Sequence, residues 1–416
     1  MMDIRDSVSI EIKKLEISLK GKLQTLQPLS KNCCIYRVPP GKRKSDERLY
    51  TPQIVSIGPI HYGKEGLKAM EEHKRRYLQD FLGRTKVTMV DLLIYIKASE
   101  SQLLECYAET IELGSDEFVE MILVDGAFIT ELLLRRNLMI NSEDRIITKP
   151  RLITEIIPDM FLLENQLPMF FLGYLFELAE KKSHQLYMPK LIAKLWSWKF
   201  LLLDEKSIEK HLPESEHFVD LIRRCLQPPQ LQLREFKTLA APSATQLHQT
   251  GVQFKLARSN EHLLDIRFKN GILEIPKLTV VDETEGILRN LQIFEILHCE
   301  TYYVNAYIVI MNCLVNTSND VDLLMQNRVV ENWLWSSEAV SSIFQNHVKG
   351  GRVEPLKFYY SGLIEDLNNY CKVPWHEWKA ILNQNYFNTP WRTISVIAAT
   401  ILLILTALQT GYSIKI

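Results

Sequence analysis

The chain has 416 residues, of which 46% are hydrophobic and 24% charged, a balance that excludes both an intrinsically disordered chain and a polytopic membrane protein. Its length exceeds the roughly 250–300 residues at which a single core stops growing, so one large or two smaller cores are expected. A formal net charge of −1 and a pI of about 6.8 leave no whole-molecule field to recommend nucleic acid as a partner.

Residues 1–29 alternate Lys, Glu and aliphatic side chains (Ile10, Ile12, Leu15, Ile17, Leu19, Leu23) and read as an amphipathic helix that packs on the body or on a partner. Glu11 and Glu16 dilute its basic face, which argues against a membrane-surface helix. With no apolar h-region of about 7–15 residues, no cleavable signal peptide is expected. Seven scattered cysteines (Cys33, Cys34, Cys106, Cys225, Cys299, Cys313, Cys371) show no C-x-x-C pair and no zinc spacing, so they read as reduced thiols in a cytosolic body. Gly41-Lys42-Arg43-Lys44 is a short basic loop, more plainly a surface turn than a contact with an anionic membrane. Lys64 to Arg76 is locally basic, but Glu65, Glu71 and Glu72 interleave with it, the pattern of a solvated helix face rather than a nucleic-acid patch.

Gly and Pro are sparse, 16 and 17 in the whole chain, and a 3.6-residue apolar rhythm predicts helices over 70–82, 87–111, 115–136, 158–179, 284–298, 303–314, 321–334 and 338–347. Asp125 falls on the apolar stripe Phe118, Met121, Ile122, Phe128, Ile129, Leu132, where burial raises a carboxylate pKa. Glu164 repeats the situation beside Met160, Leu167 and Phe171, and Asn290 and Glu295 flank the stripe Ile287, Leu291, Phe294. Two such carboxylates have the chemistry of a general acid and base. Without a nucleophile, metal cluster or phosphate loop beside them, they read instead as a buried polar network of Asp125, Glu164, Asn165, Gln166, Asn290 and Glu295, with Arg135, Arg136 or Arg289 as counter-charges. Pro168 is expected to kink the 158–179 helix at Glu164, with Asn165 and Gln166 satisfying the freed backbone.

Residues 227–251 shift to Pro, Gln, Ala and Thr and read as a loose excursion. A hairpin follows at 263–276. Asn270-Gly271 suits the positive φ of a type I′ turn, so Phe268 should face Leu273, Ile266 face Ile275 and Arg267 face Glu274, with 252–256 adding a third strand. Asn316-Thr317-Ser318 is a glycosylation sequon, expected to be unused if the body is cytosolic. Between Arg392 and Lys415 lie about 22 uncharged residues, long enough for a membrane-spanning helix over 393–414, with Trp391, Arg392, Tyr412 and Lys415 at its interfaces.

The expected architecture is therefore mainly α: a multi-helix globular body over 30–376 with a small β hairpin (about 252–276), a juxtamembrane stretch over 377–392 and a C-terminal transmembrane helix. No internal repeat is visible. There is no G-x-S-x-G, H-E-x-x-H, Walker loop, G-x-G-x-x-G or kinase triplet, and His376-Glu377 lacks a second His. His61, His73, His298 and His347 look isolated. No catalytic, cofactor or metal residue is assigned.

An ordered series of motifs carries a resemblance. It runs Cys34-Ile35-Tyr36-Arg37-Val38-Pro39, Tyr50-Thr51-Pro52, Val55-Ser56-Ile57-Gly58-Pro59-Ile60-His61, then Leu67, Met70, Glu71, His73 and Lys74. Asp125-Gly126, Leu162 to Pro168, Gly271 to Pro276, Arg289-Asn290-Leu291 with Glu295, Asn388, Pro390-Trp391 and Ala407 to Thr410 complete it. On these the chain resembles the plant family called domain of unknown function 247, over roughly residues 30–416. The resemblance implies a helical plant protein with a C-terminal membrane segment and no established enzymatic activity, some of whose relatives are linked to self-incompatibility recognition in grasses. Ala127 stands where relatives often carry Cys.

The resulting expectation is a membrane-anchored plant protein that acts as a protein-interaction or recognition module. It would be held in the plasma membrane or an endomembrane, with a lipid bilayer and a further protein as partners. The alternative is a hydrolase using Asp125 and Glu164. A third reading, a peripheral scaffold whose C-terminal helix folds back, requires an apolar trench about one helix wide.

Overall fold

The structure, a computed structural model, describes residues 2–24, 30–44, 46–138, 144–148, 150–180, 187–195, 203–228, 234, 237–257, 262–348, 358–375, 378 and 390–414. Helix α1 (Met2–Gln24) carries exposed side chains throughout its described part. An irregular strap over 30–68 follows, interrupted by α2 (Pro40–Arg43) and by single 3-10 turns at Glu47–Tyr50 and Glu65–Leu67. Ser30 and Asn32 donate to Glu105 at 3.2 and 3.0 Å, and Ile35 then makes a parallel bridge to Tyr107.

The N-terminal half is built around one long buried helix. α3 (Ala69–Thr85), α4 (Met89–Ala98), α9 (Met169–Glu180) and α10 (Met188–Leu195) all pack against α6 (Ser115–Leu138). Between them in the chain stand α5 (Glu100–Glu105), α7 (Arg145–Thr148) and α8 (Pro150–Asp159). α6 is buried on nearly every side from Phe118 to Leu134, which its apolar composition requires. Gly126 lets α9 come this close, since a Cβ there would meet Phe171 Cε1 at 2.5 Å and Leu175 Cδ1 at 2.7 Å.

Two predicted helices are interrupted. The 87–111 segment breaks at Ser99, whose amide turns back to the Tyr95 and Ile96 carbonyls, and ends at Glu105 so that Tyr107 can pair with Ile35. The 158–179 segment is not a kinked helix: α8 stops at Asp159, residues 160–168 form a buried turn, and Pro168 opens α9 by accepting from the Phe171 and Leu172 amides. A proline without N–H is at home there, where no helical donor is needed.

The C-terminal half continues with α11 (Glu205–His211), α12 (Phe218–Leu226) and α13 (Ala244–Gln249), the last closed by a Ser243/Gln246 capping box inside the expected excursion. Strands β1 (Gln253–Leu256), β2 (Arg267–Lys269) and β3 (Ile272–Ile275) form a sheet in the order β1-β3-β2. β2 and β3 pair antiparallel with Phe268 opposite Leu273 and Arg267 opposite Glu274, while Asn270 and Gly271 turn at φ 51° and 76°. β1 joins parallel to β3. β4 (Leu278–Val280) pairs in parallel with β5 (Val330–Asn332). That pairing corrects the predicted helix over 321–334: α16 (Ser318–Gln326) ends early because Arg328 takes φ 62°, and the chain then runs extended beside β4. α14 (Thr284–His298), α15 (Tyr303–Leu314), α17 (Ser337–Val348) and α18 (Ser361–Cys371) complete the body. All seven cysteines are free thiols.

Residues 390–414 form a further helix, α19 (Pro390–Ile414). The expected transmembrane helix is nevertheless overturned, because among the described residues no helix is long and apolar enough to cross a membrane. The expectations built on that span fall with it: the lipid bilayer as partner, the single-pass anchor in plasma membrane or endomembrane, and the cytosolic placement of the body. The side chains of Trp391, Arg392, Tyr412 and Lys415 lie outside the described residues, as do His376 and Glu377.

Candidate functional site

A buried irregular strap must find partners for its amides, and here side chains from the helices supply them. Asp159 accepts from three consecutive amides, Gln53 at 2.9 Å and Ile54 and Val55 at 2.8 Å. Asn165 Oδ1 accepts from Ile57 N at 2.7 Å, and its amide nitrogen donates to the Val55 and Asp159 carbonyls. Asp125 accepts from Gly58 N at 2.8 Å. Glu164 accepts from Val38 N at 2.5 Å. Gly58 sits at φ +72°, and a Cβ there would meet the Gln166 carbonyl at 2.7 Å, so the backbone reaches Asp125 here only because position 58 has no side chain.

The charges are matched locally. Lys74, fully buried, donates to Asp125 at 2.7 Å and to Glu71 at 2.6 Å. Burial pushes the Asp125 carboxyl up to about 6, with Lys74 pulling against it. Lys74 loses affinity for its proton through burial but regains more from Asp125 and Glu71, so it stays charged. For Glu164 burial acts upward, yet His61, Arg43 and the Val38 amide outweigh it and hold the carboxyl below its usual range. Arg43 donates to Glu164, and His61 Nε2 lies 2.9 Å from it in poor alignment. Burial lowers the His61 pKa despite that neighbour, so the ring is neutral.

Further along, Gln166 accepts from Phe218 N and donates to the Met160 and Leu162 carbonyls. Asn290 accepts from Leu163 N at 2.9 Å and donates to the Leu49 carbonyl. Glu295 accepts from the Val304 and Asn305 amides that open α15 and lies 3.4 Å from Arg223.

Every one of the six polar residues singled out in the sequence is thus buried and engaged, but in separate clusters with unforeseen partners. Arg135 instead joins Asp80, Glu131 and Asp144, and Arg289 pairs with Glu285. Lys74, expected on a solvated face, and His61, expected alone, are both interior. His298 is not isolated either, lying 2.8 Å from Glu216 and 3.0 Å from Tyr36 Oη. Asp159 was missed, because a helix read over 158–179 places it in the first turn, where an acid is ordinary. Asn316 is exposed, its carbonyl accepting from Gln345. Among the described residues no group of three His, Cys, Asp or Glu side chains is placed to hold a metal ion.

The open feature is on the other face of the α6 layer. A groove of about 830 Å³ runs between α3, α4 and α6. Its floor is apolar and buried (Leu78, Val119, Leu123, Val124), and one wall exposes Met89, Val90 and Ile94 at 46%, 63% and 62%. Two ion pairs mark its rim, Arg75 to Glu120 at 3.8 Å and Lys97 to Asp116 at 3.4 Å. α4 makes this wall because it is apolar on two faces: Leu92 and Ile96 go to the core, Val90 and Ile94 do not.

The sequence model of the DUF247 family, described as plant protein of unknown function, matches residues 35–405. The chain belongs to the DUF247 family. Among curated proteins it is similar to the Arabidopsis thaliana UPF0481 protein At3g47200, 31% identical with 92% of this chain and 86% of the relative covered. A second UPF0481 protein of Arabidopsis thaliana, At3g02645, is 22% identical over 90% of this chain and 89% of its own length. No solved structure matches the chain. The strap and the acceptors that hold it, from Ile35 to Glu295, all lie within the DUF247 match.

Proposed function

We propose that this DUF247 chain is a non-catalytic protein-interaction module that receives an amphipathic helix in the α3–α4–α6 groove. The groove carries the reading. An apolar floor beside a wall that leaves Val90 and Ile94 exposed is the shape used for helix-in-groove recognition, where anchors at i, i+3 or i+4 and i+7 enter and a charged rim sets register. The polar clusters support the same view. Asp125 and Glu164, the acids a hydrolase would need, are each saturated by their own cation and a strap amide, which fixes the walls rather than leaving a proton to transfer.

The test is a photo-reactive residue at Ile94 in the full chain, exposed to plant extract. The reading expects a cross-link that maps to an amphipathic helix of the partner, is lost in Val90→Asp and persists in Trp335→Ala, which removes the fully exposed ring at 102%. A cross-link indifferent to Val90→Asp, or an interaction lost only with Trp335→Ala, rejects the groove.

A further inference from the structure

We propose that Cys34 and Cys106 are the two halves of a disulfide that staples the start of the strap to the end of α5, a bond independent of what the groove receives. Their backbones already meet. The Cys106 carbonyl accepts from the Cys34 amide at 3.0 Å and from the Ile35 amide at 2.9 Å, beside the parallel bridge from Ile35 to Tyr107. An amide bonded directly to the other residue's carbonyl keeps the two Cα atoms within about 7 Å, and closer once the bond angles are counted, whereas a disulfide spans about 4.4–6.8 Å. The side chains converge as well. Cys34 and Cys106, both buried, pack in one small cluster with Ile60 and Tyr107, distinct from the main core. Cys106 Sγ donates to the Gln102 carbonyl at 3.3 Å, and a hydrogen bond between the two thiols, together with burial, pushes Cys34 well above the ordinary thiol range.

The surroundings decide what kind of disulfide this is. Reduction must expel one of the two sulfurs, and a thiol held so far above its usual range leaves slowly; burial also keeps a reductant away, so the bond is structural rather than labile. The same two facts make the seated thiols slow to oxidise, since the thiolate is the attacking species. The bond therefore forms as the strap docks. A small-molecule disulfide such as oxidised glutathione is the oxidant: one cysteine sulfur attacks it and expels a first glutathione thiol, and the other cysteine attacks the mixed disulfide and expels the second. The protein thus loses two protons and two electrons, and one glutathione disulfide is reduced to two thiols. Cys33 is the competitor, but its half-exposed thiol lies beside the Tyr36 hydroxyl, and it is the Cys34 amide that bonds to Cys106. The loop so closed, about 70 residues, contains α3 and α4, and closing a loop of that length removes much of the unfolded chain's freedom.

The experiment holds the full chain with oxidised and reduced glutathione in urea just below its unfolding midpoint, so that the strap opens and reseats. Remaining thiols are then blocked with N-ethylmaleimide and the unreduced peptides are mapped by mass spectrometry. The proposal predicts a Cys34–Cys106 linked peptide as the dominant cross-link, with the remaining cysteines alkylated. It also predicts a melting midpoint roughly 3–8 °C above that of the same protein treated with a thiol reductant. Cys33→Ser should keep both the linked peptide and the shift, while Cys34→Ala and Cys106→Ala should each lose the shift. Alkylation of Cys34 and Cys106 in full, a Cys33–Cys106 link in their place, or a shift that survives Cys106→Ala overturns the pairing. The wild-type peptide map decides the matter even where an alanine variant folds poorly, and none of these outcomes bears on the groove.

Discussion

Lys74 and Asp125 share the interior of the molecule, and among the described residues Glu71 alone brings another full charge within hydrogen-bond distance of either. Removing one member of such a pair strands the other, which costs about 3–5 kcal/mol, while removing both is far milder. Lys74→Met should therefore lower unfolding free energy by that amount in urea melts, and Lys74→Met/Asp125→Asn should recover part of it. A double variant no better than the single would show that the pair is not the coupled unit. Asp159 gives a pH-dependent counterpart. Burial raises its folded pKa to about 6 from 3.8, so the native state holds the proton more tightly than the unfolded one. The stability this contributes is complete below about pH 4 and is lost as pH rises through about 6, a decline of up to ~3 kcal/mol. Asp159→Asn, which cannot titrate, should be less stable at pH 4, where it also lacks a full set of acceptors, and the gap to wild type should narrow toward pH 7. A constant gap would contradict the shift. Part of this was legible beforehand: Asp125 sits among Phe118, Met121 and Phe128 at helical spacing, which places a carboxylate inside. Its partner was not, because Lys74 lies in a run of charges (Lys68 to Arg76) and only the crossing of α3 over α6 turns that one position inward.

Among the elements, the hairpin was readable to the level of register because two residues, Asn270 and Gly271, fix the turn and the turn fixes the pairing. The stretch 160–168 was misread for the opposite reason. Its apolar run and Pro168 fit a kinked helix locally, while the true conformation depends on Asn165 and Gln166 bonding to backbone of the turn itself and of the strap. Tertiary acceptors of that kind leave no periodic trace. Likewise 326–332 lacks any helix breaker such as Pro or Gly, and its extended conformation comes from pairing with β4. The close crossing of α6 and α9 makes a prediction at this scale: Gly126→Ala places a methyl 2.5 Å from the Phe171 ring, and overpacking of this kind costs about 1–3 kcal/mol. Thermal or urea melts should show it, with partial rescue by Leu175→Ala if the crowding is shared between the two contacts. An unaffected melting point would mean the helices separate freely.

Across the whole molecule, composition foretold a helical body, but the functional surface was hidden in an ordinary-looking helix. α4 reads in sequence as a core element, Leu92, Leu93, Ile94 and Ile96 in near succession; that it covers only half its apolar surface emerges once α3 and α6 are placed. Among the described residues no helix is long and apolar enough to span a membrane. What organises the molecule is instead the strap from Ile35 to His61, locked by acids and amides from α6, from α8 and from the turn after it. The most direct test is photo-cross-linking from position 94 of the full chain in plant extract, with and without Val90→Asp. A helix-receiving groove predicts a cross-link to an amphipathic helix of a partner that falls at least tenfold when the wall is charged; an equal yield in both proteins, or a cross-link that maps to no helix, would contradict it.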